Sequence, residues 1–250
     1  MGGISYKKES KMIPYFKFES FQIGPLTIYV WGIFVVLGIL AGLFLLYRKG
    51  FLRDDKNLNL ILYLILAGII GGRLGYVLFY DLGRFLVQPI DIIKIWEGGM
   101  SSFGGFLATA VVLFIVLPKG QKLRYLDILT IPFIITWMIA RIGCFMIHDH
   151  PGRLSDFFLA VQFPTGARHD MALYEILAMV ALLVILTLLG NGVSKWKCRF
   201  QVRDGFLVAT TILFYTTTRF FLDFLRIDDS RYFNLTPAQY GSILFFIIGL

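Results

Sequence analysis

Apolar runs divided by short polar loops govern what this chain can fold into. They lie at about Pro25–Tyr47, Leu58–Phe79, Gly98–Leu117, Leu126–Ile147, Met171–Leu189, Gly205–Leu225 and Pro237–Leu250. A bilayer-spanning helix needs about 20 apolar residues. Backbone that crosses lipid must satisfy its own hydrogen bonds, which such runs do as helices. The sequence therefore predicts an all-α polytopic membrane protein of about seven transmembrane helices, with a small outward-facing head formed by residues 80–100 and 148–170. Residues 1–24 form a polar to amphipathic leader, within which Met1–Lys11 reads as disordered. Residues 25–250 form one transmembrane domain. The run from Pro237 is too short to span, which leaves open whether the natural chain continues past Leu250.

Composition agrees. The 250 residues are 57% hydrophobic and 16% charged, against about 45–50% and about 25% in soluble domains. The net charge of +8 reads as basic cytoplasmic loops and as attraction to anionic membrane lipid. No basic stretch is long or interleaved with aromatics, so no nucleic acid partner is expected. The two cysteines, Cys144 and Cys198, fall on opposite membrane sides in the topology below and are not expected to pair. The first apolar run is too long for the core of a cleavable signal, and no small-residue cleavage site follows it.

Loop charge sets the orientation. Arg48, Lys49, Arg53 and Lys56 follow the first run, Lys119, Lys122 and Arg124 the third, and Lys195, Lys197, Arg199 and Arg203 the fifth. These loops are expected to be cytoplasmic, which puts the N-terminus and residues 148–170 outside. The localisation expected is the inner membrane of a prokaryote, with the active site facing the outer leaflet.

Arginines inside apolar runs carry the chemistry. A charge at mid-bilayer costs about 2.5–3.5 kcal/mol on insertion scales, and a bound anion would offset that cost. Arg141 ends the fourth run and opens the stretch Arg141-Ile-Gly-Cys-Phe-Met-Ile-His-Asp-His-Pro-Gly-Arg153. Tyr215, Arg219 and Asp223 fall on one face of the sixth run. Arg141 and Arg219, with Arg73, Arg153 and Arg226, are expected to converge on a phosphate, whose geometry a guanidinium fork matches. The second run carries Gly68, Gly71, Gly72 and Gly75, a spacing that lets helices approach closely. Gly104 and Gly105 open the third run, where backbone lies close to a helix or a ligand.

These residues resemble one family along nearly the whole chain. Gly71-Gly-Arg-Leu-Gly-Tyr-Val-Leu-Phe-Tyr80, Ile95-Trp-Glu-Gly-Gly-Met-Ser101 with Gly104-Gly105, Arg141-Ile-Gly143 with Phe145 and Gly152-Arg153, Arg168-His169, Leu173-Tyr-Glu175, and Tyr215 with Arg219-Phe220 and Phe224-Leu-Arg226 resemble the motifs of prolipoprotein diacylglyceryl transferases. The resemblance implies transfer of the diacylglyceryl group of phosphatidylglycerol to the lipobox cysteine thiol of a preprolipoprotein, with a thioether formed and glycerol phosphate released. It implies Arg141 and Arg219 as stabilisers of the departing phosphate, assisted by Tyr215. Arg73, Gly104, Gly105, Cys144, Arg153, His169, Glu175, Asp223 and Arg226 are expected to bind phosphatidylglycerol. No cofactor and no metal is expected, the alternative being a zinc set of His148, His150 and His169.

The sequence also departs from the family at its chemistry. The family's histidine before the glycine pair is Phe103, and its asparagine after Arg-Ile-Gly is Cys144. The proline of its His-Pro motif is Asp170, and His148-Asp149-His150-Pro151 replaces another part of its signature. Three readings follow. The base has moved to His148, Asp149 or His150; or the chain is a sister transferase with another lipid donor or acceptor; or it is a non-catalytic lipid-binding or transport protein of the same fold.

Overall fold

A computed structural model describes residues 12–24, 26–95, 98–195, 203–227 and 231–250. The expectations for Met1–Lys11, Pro25, Trp96, Glu97, Lys197, Cys198 and Arg199 lie outside the described residues. In chain order the structure runs β1 (Ile13–Pro14), β2 (Ser20–Ile23), β3 (Leu26–Tyr29), α1 (Val30–Arg48), α2 (Asp55–Phe79), α3 (Leu82–Val87), α4 (Ser102–Val116), α5 (Lys122–Ile147), β4 (Pro151–Leu154), β5 (Val161–Phe163), β6 (Gly166–Asp170), α6 (Met171–Lys195), α7 (Phe206–Leu222) and α8 (Pro237–Gly249).

The chain is mostly helical, and each expected apolar run contains a helix. Among the described residues, four helical stretches are long and apolar enough to cross a membrane: Val30–Arg48, Asp55–Phe79, Lys122–Ile147 and Met171–Leu189. Phe103–Val116 and Pro237–Gly249 are shorter apolar helices. The expectation of an all-α chain needs correction, because residues 148–170 are not a loop. They form β4, β5 and β6, which with β1 make a four-stranded sheet in the order β1-β5-β6-β4. β2 and β3 form a separate antiparallel hairpin. These strands are only two to five residues long, too short for a period of two to stand out in the sequence.

The described residues divide into two compact units, one from Leu43–Leu126 and the other from Met1–Gly42 with Asp127–Leu250. In the first, α2 lies on α4 through glycines. A Cβ on Gly75 would stand 2.7 Å from the Gly104 Cα, and one on Gly104 would collide with the Gly71 carbonyl. Ser101 caps α4, its Oγ accepting from the Gly104 amide, while its own amide donates to the Gly72 carbonyl at 2.8 Å.

In the second unit, Ile134 of α5 and Met179, Leu182 and Leu186 of α6 form the buried core, with Leu207, Phe214 and Tyr215 of α7 packed against it. The α7 N-terminus is capped from α5: the Asp127 carboxylate accepts from the Gly205 and Val208 amides at 2.7 and 2.9 Å. Gly143 brings α5 against α1, where an added Cβ would stand 2.8 Å from the Phe34 Cβ. Thr236 and Gln239 form a capping box at α8 with Pro237 in its first turn, a strong start signal.

Candidate active site

Arg141 on α5 and Arg219 on α7 meet on Glu175 of α6. The Arg219 Nη1 donates to the Glu175 Oε1 at 2.7 Å, and the Arg141 Nε stands 2.7 Å from Oε2. The Glu175 side chain is 2% exposed, against 13% for Arg141 and 15% for Arg219. The Arg141 guanidinium also lies over the Trp137 ring, 4.8 Å from its centroid. Its Nε and the Glu175 Oε2 face each other without hydrogen-bond alignment. Both are buried and unpartnered by hydrogen bonds among the described residues, so they retain capacity for an added polar group.

The charged row continues along α7. The Arg219 Nη2 lies 3.2 Å from the Asp223 Oδ1, and the Arg226 Nε lies 3.9 Å from the same oxygen. Asp223 is fully buried. Its Oδ2 accepts from the Thr236 hydroxyl and its carbonyl accepts from Arg231 at 3.3 Å. β4 docks beside it through a bridge between Gly152 and Arg226, where a Cβ on Gly152 would meet the Leu225 carbonyl at 2.9 Å. Tyr215 lies one turn before Arg219 on α7 and packs against the core shared by α5 and α6.

A second cluster adjoins Arg141. The Arg141 Nη1 donates to the Cys144 sulfur at 3.7 Å. Ligand-type atoms of Cys144, Asp149 and His150 all lie within 4.8 Å of one another. The His150 Nε2 and Asp149 Oδ2 are 3.6 Å apart, with side chains 30% and 35% exposed. Burial pushes the Asp149 carboxyl up to about 6, with Asp170 adding to the rise and Arg141 and Arg226 opposing it.

The three histidines do not gather. His148 follows α5 with a positive φ of 51°, uncommon for a residue other than glycine, although histidine adopts it more often than most. Its ring is sealed among Tyr15, Phe16, Phe145 and Phe163. Its Nδ1 donates to the Asp170 Oδ2 at 2.6 Å, and Asp170 also caps α6 by accepting from the Ala172 and Leu173 amides. The His169 Nδ1 lies 2.7 Å from the Tyr174 hydroxyl, and burial lowers its pKa. The expected alternative of a three-histidine zinc set is therefore corrected: each ring has a different partner.

Other expected binders have structural duties. Arg73 donates from Nε, Nη1 and Nη2 to the carbonyls of Ile92, Gly98, Gly99, Asp91 and Lys94, at 2.6–3.2 Å. These bonds tie the backbone of residues 91–94 and 98–99 to α2. Gly104 and Gly105 are taken up by α2, the helix reading of the two the sequence left open. Arg153 stands exposed on β4, and Phe103 is exposed beside Phe79. The cluster of Cys144, Asp149 and His150 was not foreseen as a unit, because the chain reverses at His148 and no spacing rule covers that turn. An apolar groove of about 300 Å³, lined by Met138, Val180, Leu183, Val184, Thr187 and Leu188, begins within a turn of Arg141 on α5.

The family model described as prolipoprotein diacylglyceryl transferase matches residues 19–250. The chain is 35% identical over 232 residues to the phosphatidylglycerol–prolipoprotein diacylglyceryl transferase of Oleidesulfovibrio alaskensis, covering 87% of this chain and 84% of that protein. It is 31% identical over 236 residues to the protein of that name from Chloroherpeton thalassium, covering 90% and 86%. With the one from Coxiella burnetii it shares 33% over 249 residues, covering 92% and 91%.

Proposed function

The chain belongs to the prolipoprotein diacylglyceryl transferase family, and we propose that it moves the diacylglyceryl group of phosphatidylglycerol to the thiol of a preprolipoprotein's lipobox cysteine. The relatives' names state both substrates. The single observation that carries the reading here is the meeting of Arg141 and Arg219 on Glu175.

The charges suit a phosphodiester. Arg141, Arg219 and Arg226 oppose Glu175 and Asp223, a surplus of one positive charge matched to one phosphate anion. As the carbon–oxygen bond breaks, glycerol phosphate departs as a dianion. Arg141 and Arg219 stabilise the charge that develops, in a site where little water screens it. Tyr215 assists them, while Asp223 fixes Arg219 and Arg226. The groove beside Met138 takes an acyl chain and leaves the headgroup against Arg141.

Thiol activation falls to the His-Asp-His stretch and its neighbour, Cys144. His148 is sealed and committed to Asp170, so Asp149 and His150 are the partly open members. This placement favours relocated activation over loss of activity in a chain that carries Phe103. In the membrane we propose seven passes, with the N-terminus and the sheet of β4, β5 and β6 outside, in the inner membrane of a prokaryote. Lipid then reaches the arginines from the outer leaflet.

The test is incubation of purified protein with phosphatidylglycerol and a lipobox peptide. Mass spectrometry should find a thioether-linked diacylglyceryl peptide, and Arg141→Ala and Arg219→Ala should each abolish it. Transport of lipid without bond formation would replace the reading.

A further inference from the structure

Cys144, Asp149 and His150 bring three unlike ligand atoms within 4.8 Å of one another. Thiolate sulfur, imidazole nitrogen and carboxylate oxygen are the ligand types that Zn²⁺ accepts, and three protein ligands with one open position mark its catalytic sites. We propose that these three side chains hold a Zn²⁺ ion whose fourth position takes the acceptor's thiol.

The surroundings favour it. Cys144 is on the last turn but one of α5, and Asp149 and His150 follow directly after the reversal at His148. His150 is fixed from behind, its carbonyl accepting from the Met171 amide at 3.2 Å where α6 begins. The Arg141 Nη1 donates to the Cys144 sulfur, a contact that offsets part of the cost of holding a thiolate in this buried position. The Arg141 charge is already matched by Glu175. A thiolate, a carboxylate and a neutral imidazole cancel the charge of Zn²⁺, so the arginine surplus for phosphate is unchanged. Arg141 contacts Cys144 through Nη1 and Glu175 through Nε, so one guanidinium borders both the three ligands and the arginine pair proposed to take the phosphate.

The step balances. The acceptor thiol replaces a water on the metal and binds as thiolate, its proton passing to solvent. The sulfur then attacks the glycerol carbon, the C–S bond forms and the C–O bond to phosphate breaks. The electron pair leaves with glycerol phosphate, now a dianion held by Arg141 and Arg219. Metal coordination deprotonates a thiol outright, which supplies the activation that Phe103 cannot. The chemical role rests on the transfer reading; metal binding does not.

Cobalt tests both. Full-length protein carrying Cys198→Ser, purified and stripped with chelator, is titrated with Co²⁺. One ion per chain is expected, with a thiolate-to-cobalt charge-transfer band in the near ultraviolet. The band should vanish when Cys144→Ser is added, and His150→Ala should weaken binding by about tenfold or more. No such band in folded protein, or its survival in Cys144→Ser, overturns the site. Cobalt binding with no thioether product under any metal leaves the site and removes the transfer reading. Full transfer by metal-free protein overturns the thiol-holding role and leaves the transfer reading.

Discussion

Arg141 and Arg219 share one carboxylate. Their helices, α5 and α7, are joined at this level by the two oxygens of Glu175, each 2.7 Å from a guanidinium nitrogen. Glu175→Gln keeps the shape and removes the charge, leaving two guanidiniums facing each other. Breaking a buried ion pair costs about 3–5 kcal/mol, so the variant should melt well below the parent in detergent. Glu175→Asp should recover part of that loss. An unshifted melting curve for Glu175→Gln would show that the arginines are held apart by something else.

Arg219 serves two carboxylates at once, with Nη1 on Glu175 and Nη2 on Asp223. A lysine offers one point charge and cannot span both. Arg219→Lys should therefore fold, yet transfer about 10²–10³-fold more slowly, the cost of removing one oriented donor from a developing anion. The loss should fall on kcat more than on KM for phosphatidylglycerol. A pure rise in KM would mean that Arg219 only binds lipid.

Arg73 is spent on five carbonyls between Asp91 and Gly99. Arg73→Gln cannot reach them all, and the buried Asp91 carbonyl with its partly buried neighbours loses donors, at up to about 1–3 kcal/mol each. The expected result is faster proteolysis within residues 80–100 and lower stability, with KM for phosphatidylglycerol unchanged in the folded fraction. A raised KM with unchanged proteolysis would return Arg73 to the headgroup.

Much of this was legible beforehand. The fourth run, read as Leu126–Ile147, became α5 at Lys122–Ile147, and the run at Met171 opens α6 at that residue. Apolar runs and polar breaks fix such limits because lipid and core select the same residues. The face shared by Tyr215, Arg219 and Asp223 was legible for the same reason, since helical spacing is periodic. The destinations of polar side chains were not. Nothing in the spacing shows that Arg73 turns to carbonyls, or that Glu175 bridges Arg141 and Arg219. The reversal at His148 depends on an aromatic cage assembled from β1, α5 and β5 and the residues beside them, so the approach of Cys144 to Asp149 and His150 is a product of tertiary packing.

Gly75 and Gly104 lie where α2 meets α4, and an added Cβ at either would press into the opposite backbone. Helices that approach this closely gain packing that larger residues deny them. Gly104→Val should force the helices apart and cost more stability than Gly75→Ala, because valine adds two methyls beyond a Cβ that already collides with the Gly71 carbonyl oxygen, whereas a Cβ at Gly75 stands 2.7 Å from the Gly104 Cα. Gly83 on α3 has open space where its Cβ would be, and Gly83→Ala should leave the melting temperature unchanged or slightly raised, alanine being the better helix former. Thermal melts of the three variants in one detergent check the order. A melting temperature for Gly104→Val equal to that of Gly83→Ala would mean that α2 and α4 do not meet along this glycine seam, and Gly104 would again be open to a ligand.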